Sequence, residues 1–231
     1  MAERKSALIV GAGSGLSASL ARLLAREGWA VGLAARNAYK LSALSAEAGA
    51  RAWSCDATDP AAVAKLFDEV DATLGPPDVV VYNASARARG TIAELVPEEV
   101  RQAIEVSAFG GFLVAQQAAR RMLAKGQGSI LFTGASASVK GFPQSAAFAM
   151  GKFALRGLAQ SMARELAPKG IHVAHFVIDG GIARDGRTPP SEAPDALLDP
   201  DAIAQSYLQI IRQPRNAWTW EIELRPWVEK F

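Results

Sequence analysis

The chain has 231 residues, 50% hydrophobic and 21% charged, enough for one large α/β domain with a well-buried core. A formal net charge of +2 argues for neither a nucleic-acid partner nor an anionic membrane surface. Cys55 is the only cysteine, which excludes an internal disulfide and a cysteine-cluster metal site; no metal is expected.

Arg4 and Lys5 precede Ala7-Leu8-Ile9-Val10, an apolar run too short for a signal peptide, which breaks into glycines and reads as a buried first strand. No stretch approaches the roughly 20 apolar residues of a membrane span, so a soluble cytoplasmic protein is expected. Leu16–Arg26 carries an apolar stripe at helical spacing, Ala30–Ala35 is a second strand and Tyr39–Ala48 a second helix. Arg51–Cys55 is a short third strand. Pro60–Leu74 is helical, with Asp59 as cap and Pro60 in the first turn, and Val79–Tyr82 is a fourth strand. A long helix follows Pro97 to about Ala124, Ser129–Phe132 is a fifth strand, and Gln144–Leu166 is another long helix stopped by Pro168-Lys169-Gly170. Ile171–Ile178 is a sixth strand, Asp201–Arg212 a helix and Trp218–Leu224 a final strand. Strands apolar on both faces and alternating with helices imply a doubly wound parallel sheet of the Rossmann type, about seven strands covered on both sides. With no linker or repeat, residues 1–231 read as a single domain.

Gly11-Ala12-Gly13-Ser14-Gly15-Leu16-Ser17 falls between the first strand and the first helix, where a dinucleotide pyrophosphate docks against free helix-start amides. Glycines suit the place because a β-carbon would hold the backbone away from the phosphates. The alternative is a glycine-rich turn in a structural α/β protein. The second strand ends Ala35-Arg36-Asn37, without the carboxylate that binds a ribose 2′-hydroxyl. Arg36 offers a planar fork for a 2′-phosphate, so NADP is expected in preference to NAD.

With these landmarks the sequence resembles the short-chain dehydrogenases/reductases over essentially its whole length. Cys55-Asp56-Ala57-Thr58-Asp59 resembles the family's acidic stretch after strand three, which implies that Asp56 bonds the adenine amino group beside Ala57. Tyr82-Asn83-Ala84-Ser85 resembles its Asn-Asn-Ala-Gly, with Asn83 and Ala84 retained, and Phe148-Ala149-Met150-Gly151-Lys152 resembles its YxxxK. The resemblance implies that Lys152 holds the nicotinamide ribose. It places Phe148 where the proton-donating tyrosine stands, and a phenyl ring has no proton to give. Ala135 stands at the serine position, with Ser136 next to it, and Ser107 aligns with the helix asparagine of the proton relay. The usual Pro-Gly after strand six is replaced by Ile178-Asp179-Gly180-Gly181, where Gly180 and Ile182 are the expected carboxamide contacts.

Three replacements for the missing proton are open: Ser136, Asp179 and water. Asp179 reads either as an acid of raised pKa or as a turn residue. His172 and His175 read as satisfied core histidines, and Tyr82 points away from Asn83. Residues 183–198, with a proline-rich stretch at Pro189–Pro194, resemble a substrate lid. Trp218, Trp220, Trp227 and Phe231 read as a sheet-edge cover or a subunit contact, the latter favoured within a homodimer or homotetramer. The functional readings are an NADP-dependent oxidoreductase acting on a small carbonyl, alcohol or activated alkene with non-standard proton delivery, a silent NADP-binding sensor or assembly subunit, and a non-redox enzyme on a borrowed fold.

Overall fold

The computed structural model describes residues 4–184 and 186–229. Seven strands form one sheet: β1 (Ser6–Val10), β2 (Ala30–Ala35), β3 (Arg51–Ser54), β4 (Val79–Tyr82), β5 (Gly128–Thr133), β6 (Ile171–Ile178) and β7 (Glu221–Leu224). All pair in parallel in the order β3-β2-β1-β4-β5-β6-β7. β1, β4 and β6 are buried along their whole length, as strands must be when helices cover both faces, whereas the edge strands β3 and β7 are partly exposed. On one face pack α1 (Leu16–Arg26), α2 (Ser42–Ala48) and α7 (Pro200–Ile211), with Leu20, Leu24 and Tyr207 against Ile9, Leu33 and Phe176. On the other lie α3 (Pro60–Leu74), α5 (Gly110–Lys125) and α6 (Ala146–Leu166), with Phe67, Met122 and Leu155 against Leu8, Val80 and Phe132. No helix among the described residues is long and apolar enough to cross a membrane.

Four boundaries depart from the sequence reading, each for a local reason. The helix expected from Pro97 to about Ala124 is α4 (Pro97–Ile104), a π-turn over Glu105–Phe109, and then α5. A β-carbon on Gly110 would fall 2.5 Å from the Tyr82 hydroxyl, so α5 lies too close to β4 for any side chain there. Tyr39 belongs to a 3₁₀ turn, Ala38–Leu41, entered when Asn37 accepts the Tyr39 amide at 3.1 Å. The helix expected from Gln144 starts at Ala146, because Gln144 is left-handed, with φ 58°. The last strand begins only at Glu221, since Thr219 is engaged by the Gln213 and His172 side chains.

Candidate functional site

Strand order reverses between β1 and β4, and a cleft opens above their carboxyl ends, where ligands bind open α/β sheets. It consists of two cavities, of about 680 and 660 Å³, that share Gly11, Gly13, Ser14, Asn83 and Ser85. Helix α1 enters this cleft without a capping side chain at Gly15 and without an acidic residue in its first turn, so its leading amides are left for an anion. Gly13 and Gly15 have open space where a β-carbon would stand, as close approach of a phosphate requires. Gly11 is a glycine for another reason: at φ +83° its β-carbon would collide with the Ala84 backbone. Asn83 donates to Ser17 Oγ at 2.7 Å, tying the β4 end to α1, and Leu16 anchors the loop in the core.

The first cavity runs over β2 and β3. Arg36, Lys40, Asp56, Ala57 and Ala84 line it. Asp56 Oδ1 accepts the Thr58 amide at 2.9 Å and hydroxyl at 2.8 Å; these bonds, aided by Arg36, hold its carboxyl below the usual range. Lys40 was not foreseen: it is exposed, and only the 3₁₀ turn after Asn37 carries it back beside Arg36. Cys55 also borders this cavity, and burial, with Asp56 and Asp59 nearby, pushes its thiol up to about 11.

The second cavity runs under α6. Lys152, 2% exposed, donates to the Thr133 carbonyl at 2.7 Å. A carbonyl is a weak partner for a buried ammonium. Burial, followed by the positive charge of Arg87, lowers the Lys152 pKa to about 7. Phe148 lies one helical turn earlier, 7% exposed, with the ammonium 5.9 Å from its ring centroid. Arg87 covers the ring, its Cζ 3.9 Å from the centroid, a cation–π contact worth about 0.5–1 kcal/mol at a partly exposed site. Ser136 and Ala135 line the same cavity, and Ser138 Oγ accepts the Ala135 amide at 3.1 Å to fix that loop. Gly180, Gly181 and Ile182 form the far wall.

A model of the short chain dehydrogenase family matches residues 5–186. The chain belongs to the short-chain dehydrogenase family. It is 39% identical to a short-chain dehydrogenase from Rhodopseudomonas palustris, covering 96% of this chain and 99% of that one at a TM-score of 0.84. An alcohol dehydrogenase from the archaeon Thermococcus sibiricus, solved with 5-hydroxy-NADP, is 26% identical over 99% of both chains at a TM-score of 0.87. Glycine betaine reductase ATRR of Emericella nidulans is 30% identical over 96% of this chain, which spans only 19% of that larger protein.

Within this short-chain dehydrogenase, two expected catalytic side chains lie outside the cleft. Ser107 is 0% exposed in the π-turn, its Oγ 3.4 Å from the Ala86 amide, and it lines neither cavity. Its neighbour is Gly151 of α6, where a β-carbon would fall 2.8 Å from the Ser107 Cβ. Asp179, 5% exposed, is also absent from the lining: Lys140 at 3.1 Å and Arg225 at 2.6 Å hold its carboxylate, which corrects the expectation of a free acid there.

Both histidines are core residues, although each keeps one buried ring nitrogen unpartnered. His172 Nε2 meets the Thr219 carbonyl at 2.9 Å and its ring stacks on Trp218, centroids 4.7 Å apart. His175 Nδ1 meets Glu221 at 3.1 Å, and Arg156 grips the same carboxylate in a fork. Burial holds His175 down at about 4 against the pull of Glu221. Its ring sits so close beneath Gly134 that no β-carbon fits there. The Tyr82 hydroxyl donates to the Val106 carbonyl. Trp218 and Trp220 are half-buried and pack on their own chain, against His172 and Arg156. Trp227 is exposed and bonds Asp195 of the 183–198 segment; Phe231 and Asp185 lie outside the described residues.

Proposed function

We propose that the protein is an NADP-dependent oxidoreductase that interconverts a small carbonyl compound and its alcohol, or reduces an activated alkene, and takes its proton from a group other than residue 148. The observation that carries this reading is one continuous cleft with a basic, acid-free end of β2 on one side and a deeply buried lysine on the other. The residues fit the dinucleotide. Gly13, Ser14, Gly15 and Leu16 bring the start of α1 to the pyrophosphate, with Gly11 and Asn83 holding the loop in place. Arg36, joined by Lys40, pairs with the 2′-phosphate, while Asp56, Ala57 and Ala84 border the adenine. Lys152 holds the nicotinamide ribose, and Gly180 and Ile182 approach the carboxamide.

When bound, NADPH supplies the hydride. Reduction of a carbonyl then needs one proton at the substrate oxygen, leaving alcohol and NADP⁺. Phe148 contributes a wall and no proton. Ser136, half-buried in the same cavity, holds the oxygen and passes the proton from water. General acid help of this kind is worth roughly 10²–10⁴ in rate, so the phenyl ring slows carbonyl reduction without forbidding it. Phe109 and Phe112 of the α5 region and Met150 and Phe153 of α6 are exposed apolar side chains, which supports a homodimer or homotetramer built on these helices.

The test is nucleotide titration followed by assay. NADPH should bind more tightly than NADH, and Arg36→Ala should narrow the gap by about tenfold, the worth of one charge-assisted contact. Oxidation of NADPH with a panel of aldehydes, ketones and enones tests the chemistry. Tight binding without any turnover would replace this reading by that of a silent NADP-binding subunit. Equal affinity for the two nucleotides would remove NADP from either.

A further inference from the structure

Besides Lys152, the second cavity is lined by Arg87, Arg89, Arg184 and Arg187, and among the described residues by no carboxylate. Four guanidinium groups on two loops nearly a hundred residues apart in the chain converge on one wall. Arg87 and Arg89 leave the end of β4, whereas Arg184 and Arg187 are brought together by a tight turn whose backbone pairs at 3.0 and 2.8 Å. That turn is itself tied to the segment before α7, as the Leu198 amide donates to the Gly181 carbonyl at 2.8 Å and the Ala183 amide donates to the Leu198 carbonyl at 2.9 Å. The Arg187 guanidinium lies over Gly181, in the space a side chain would take.

All four arginines are exposed at the mouth of the cavity, and none has an acidic partner among the described residues, whereas Arg22, Arg121, Lys125, Arg156 and Arg225 do. Arg87 is kept in place by an aromatic face instead. Gathering like charges without a counter-ion costs free energy unless a ligand supplies one. Burial and the fields of Arg89 and Arg187 already lower the Arg87 pKa, the expected sign for such crowding. The dinucleotide's own charges are met elsewhere: the 2′-phosphate at Arg36 and Lys40, the pyrophosphate at the start of α1.

From this geometry we infer that the substrate carries an oxyanion, a carboxylate or a phosphate ester, which docks on Arg87 and Arg187 over the Phe148 ring, with Arg89 and Arg184 at the rim. The inference rests on the oxidoreductase reading only for the word substrate; the anion site itself is a property of the nucleotide-loaded protein. Planar forks and carboxylate or phosphate oxygens are geometrically matched, and the Phe148 ring holds the Arg87 guanidinium at the cavity without using its N–H donors.

The experiment uses carbonyl pairs that differ in charge: succinic semialdehyde against butanal, and glyceraldehyde phosphate against glyceraldehyde. Each is titrated calorimetrically into NADP⁺-loaded protein, and each is assayed with NADPH. The charged member of at least one pair should bind about tenfold or more tightly, and the better pair tells carboxylate from phosphate. Salt at about 1 M, where the Debye length is about 3 Å, should erase most of the preference. Arg87→Gln and Arg187→Gln should each lower charged-ligand affinity about tenfold and leave the neutral member and NADPH unchanged. Equal binding of both members of both pairs overturns the inference. So does a loss of NADPH affinity in the arginine variants without a loss of the charge preference, which would assign the cluster to the cofactor. Charged-ligand binding without turnover leaves the anion site standing and removes the oxidoreductase.

Discussion

At the β2 end of the cleft, recognition rests largely on backbone: the bare start of α1, the close approach of Gly11 to Ala84, and the Asx turn at Asp56. Under α6 it rests on side-chain identity, and there the family's tyrosine position holds Phe148 while Lys152 keeps its buried place. Backbone features tolerate little change, because altering them disturbs the fold. A side chain that borders a cavity can be exchanged without moving the backbone that carries it. The difference teaches that dinucleotide binding and proton delivery are separable on this scaffold, and that loss of one says nothing about the other.

The sharpest way to break the comparison is at the glycines. Gly11→Ala should destabilise the protein by about 3 kcal/mol or more, from left-handed backbone strain plus overpacking against Ala84. Gly13→Ala has open space around it and should leave the denaturation midpoint unchanged while lowering NADPH affinity. Urea titration with parallel nucleotide binding reads both. If Gly13→Ala unfolds the protein and Gly11→Ala does not, the assignment of backbone roles is wrong.

Phe148→Tyr probes the other end. Restoring the phenol beside Lys152 should raise NADPH-dependent carbonyl reduction about 10²-fold with no change in NADPH affinity. An unchanged rate would mean that Ser136 and the neighbouring backbone no longer hold a carbonyl in place.

A last expected effect is on the pH dependence of stability without nucleotide. Lys152 titrates at about 7 in the fold against an ordinary 10.5, so between those values the unfolded chain carries the extra proton. Stability therefore rises with pH across that window; below it the burial penalty is fully present, and above it the penalty is gone. Lys152→Met should flatten this rise and stabilise the protein at neutral pH. His175, held at about 4 against 6.5, acts with the same sign at lower pH, so stability falls as pH drops through that range and the Lys152 variant should leave this limb intact.

The fold was legible because β1, β4 and β6 are apolar on both faces, which only a covered parallel sheet explains. That the glycine loop, Arg36 and Lys152 line the cleft was legible because their placement follows from position within β–α units. Alignment to a catalytic position did not reveal the π-turn that buries Ser107 or the pair of cations that holds the Asp179 carboxylate. Lys40 depends on a 3₁₀ turn that reads as plain helix from the spacing of Tyr39 and Leu41. The arginine wall escaped notice because a net charge of +2 averages it away, and its halves are joined only by the sheet; the Arg-Ala-Arg at 87–89 was the visible trace.

The seclusion of Cys55 has a practical consequence. At a pKa of about 11, only about one molecule in ten thousand carries the reactive thiolate at neutral pH. Maleimide dyes will pass over it, so a cysteine introduced at exposed Ser191 can be labelled selectively without first mutating the native one. Movement of the 183–198 segment on ligand addition then becomes a fluorescence signal read from an otherwise unaltered protein.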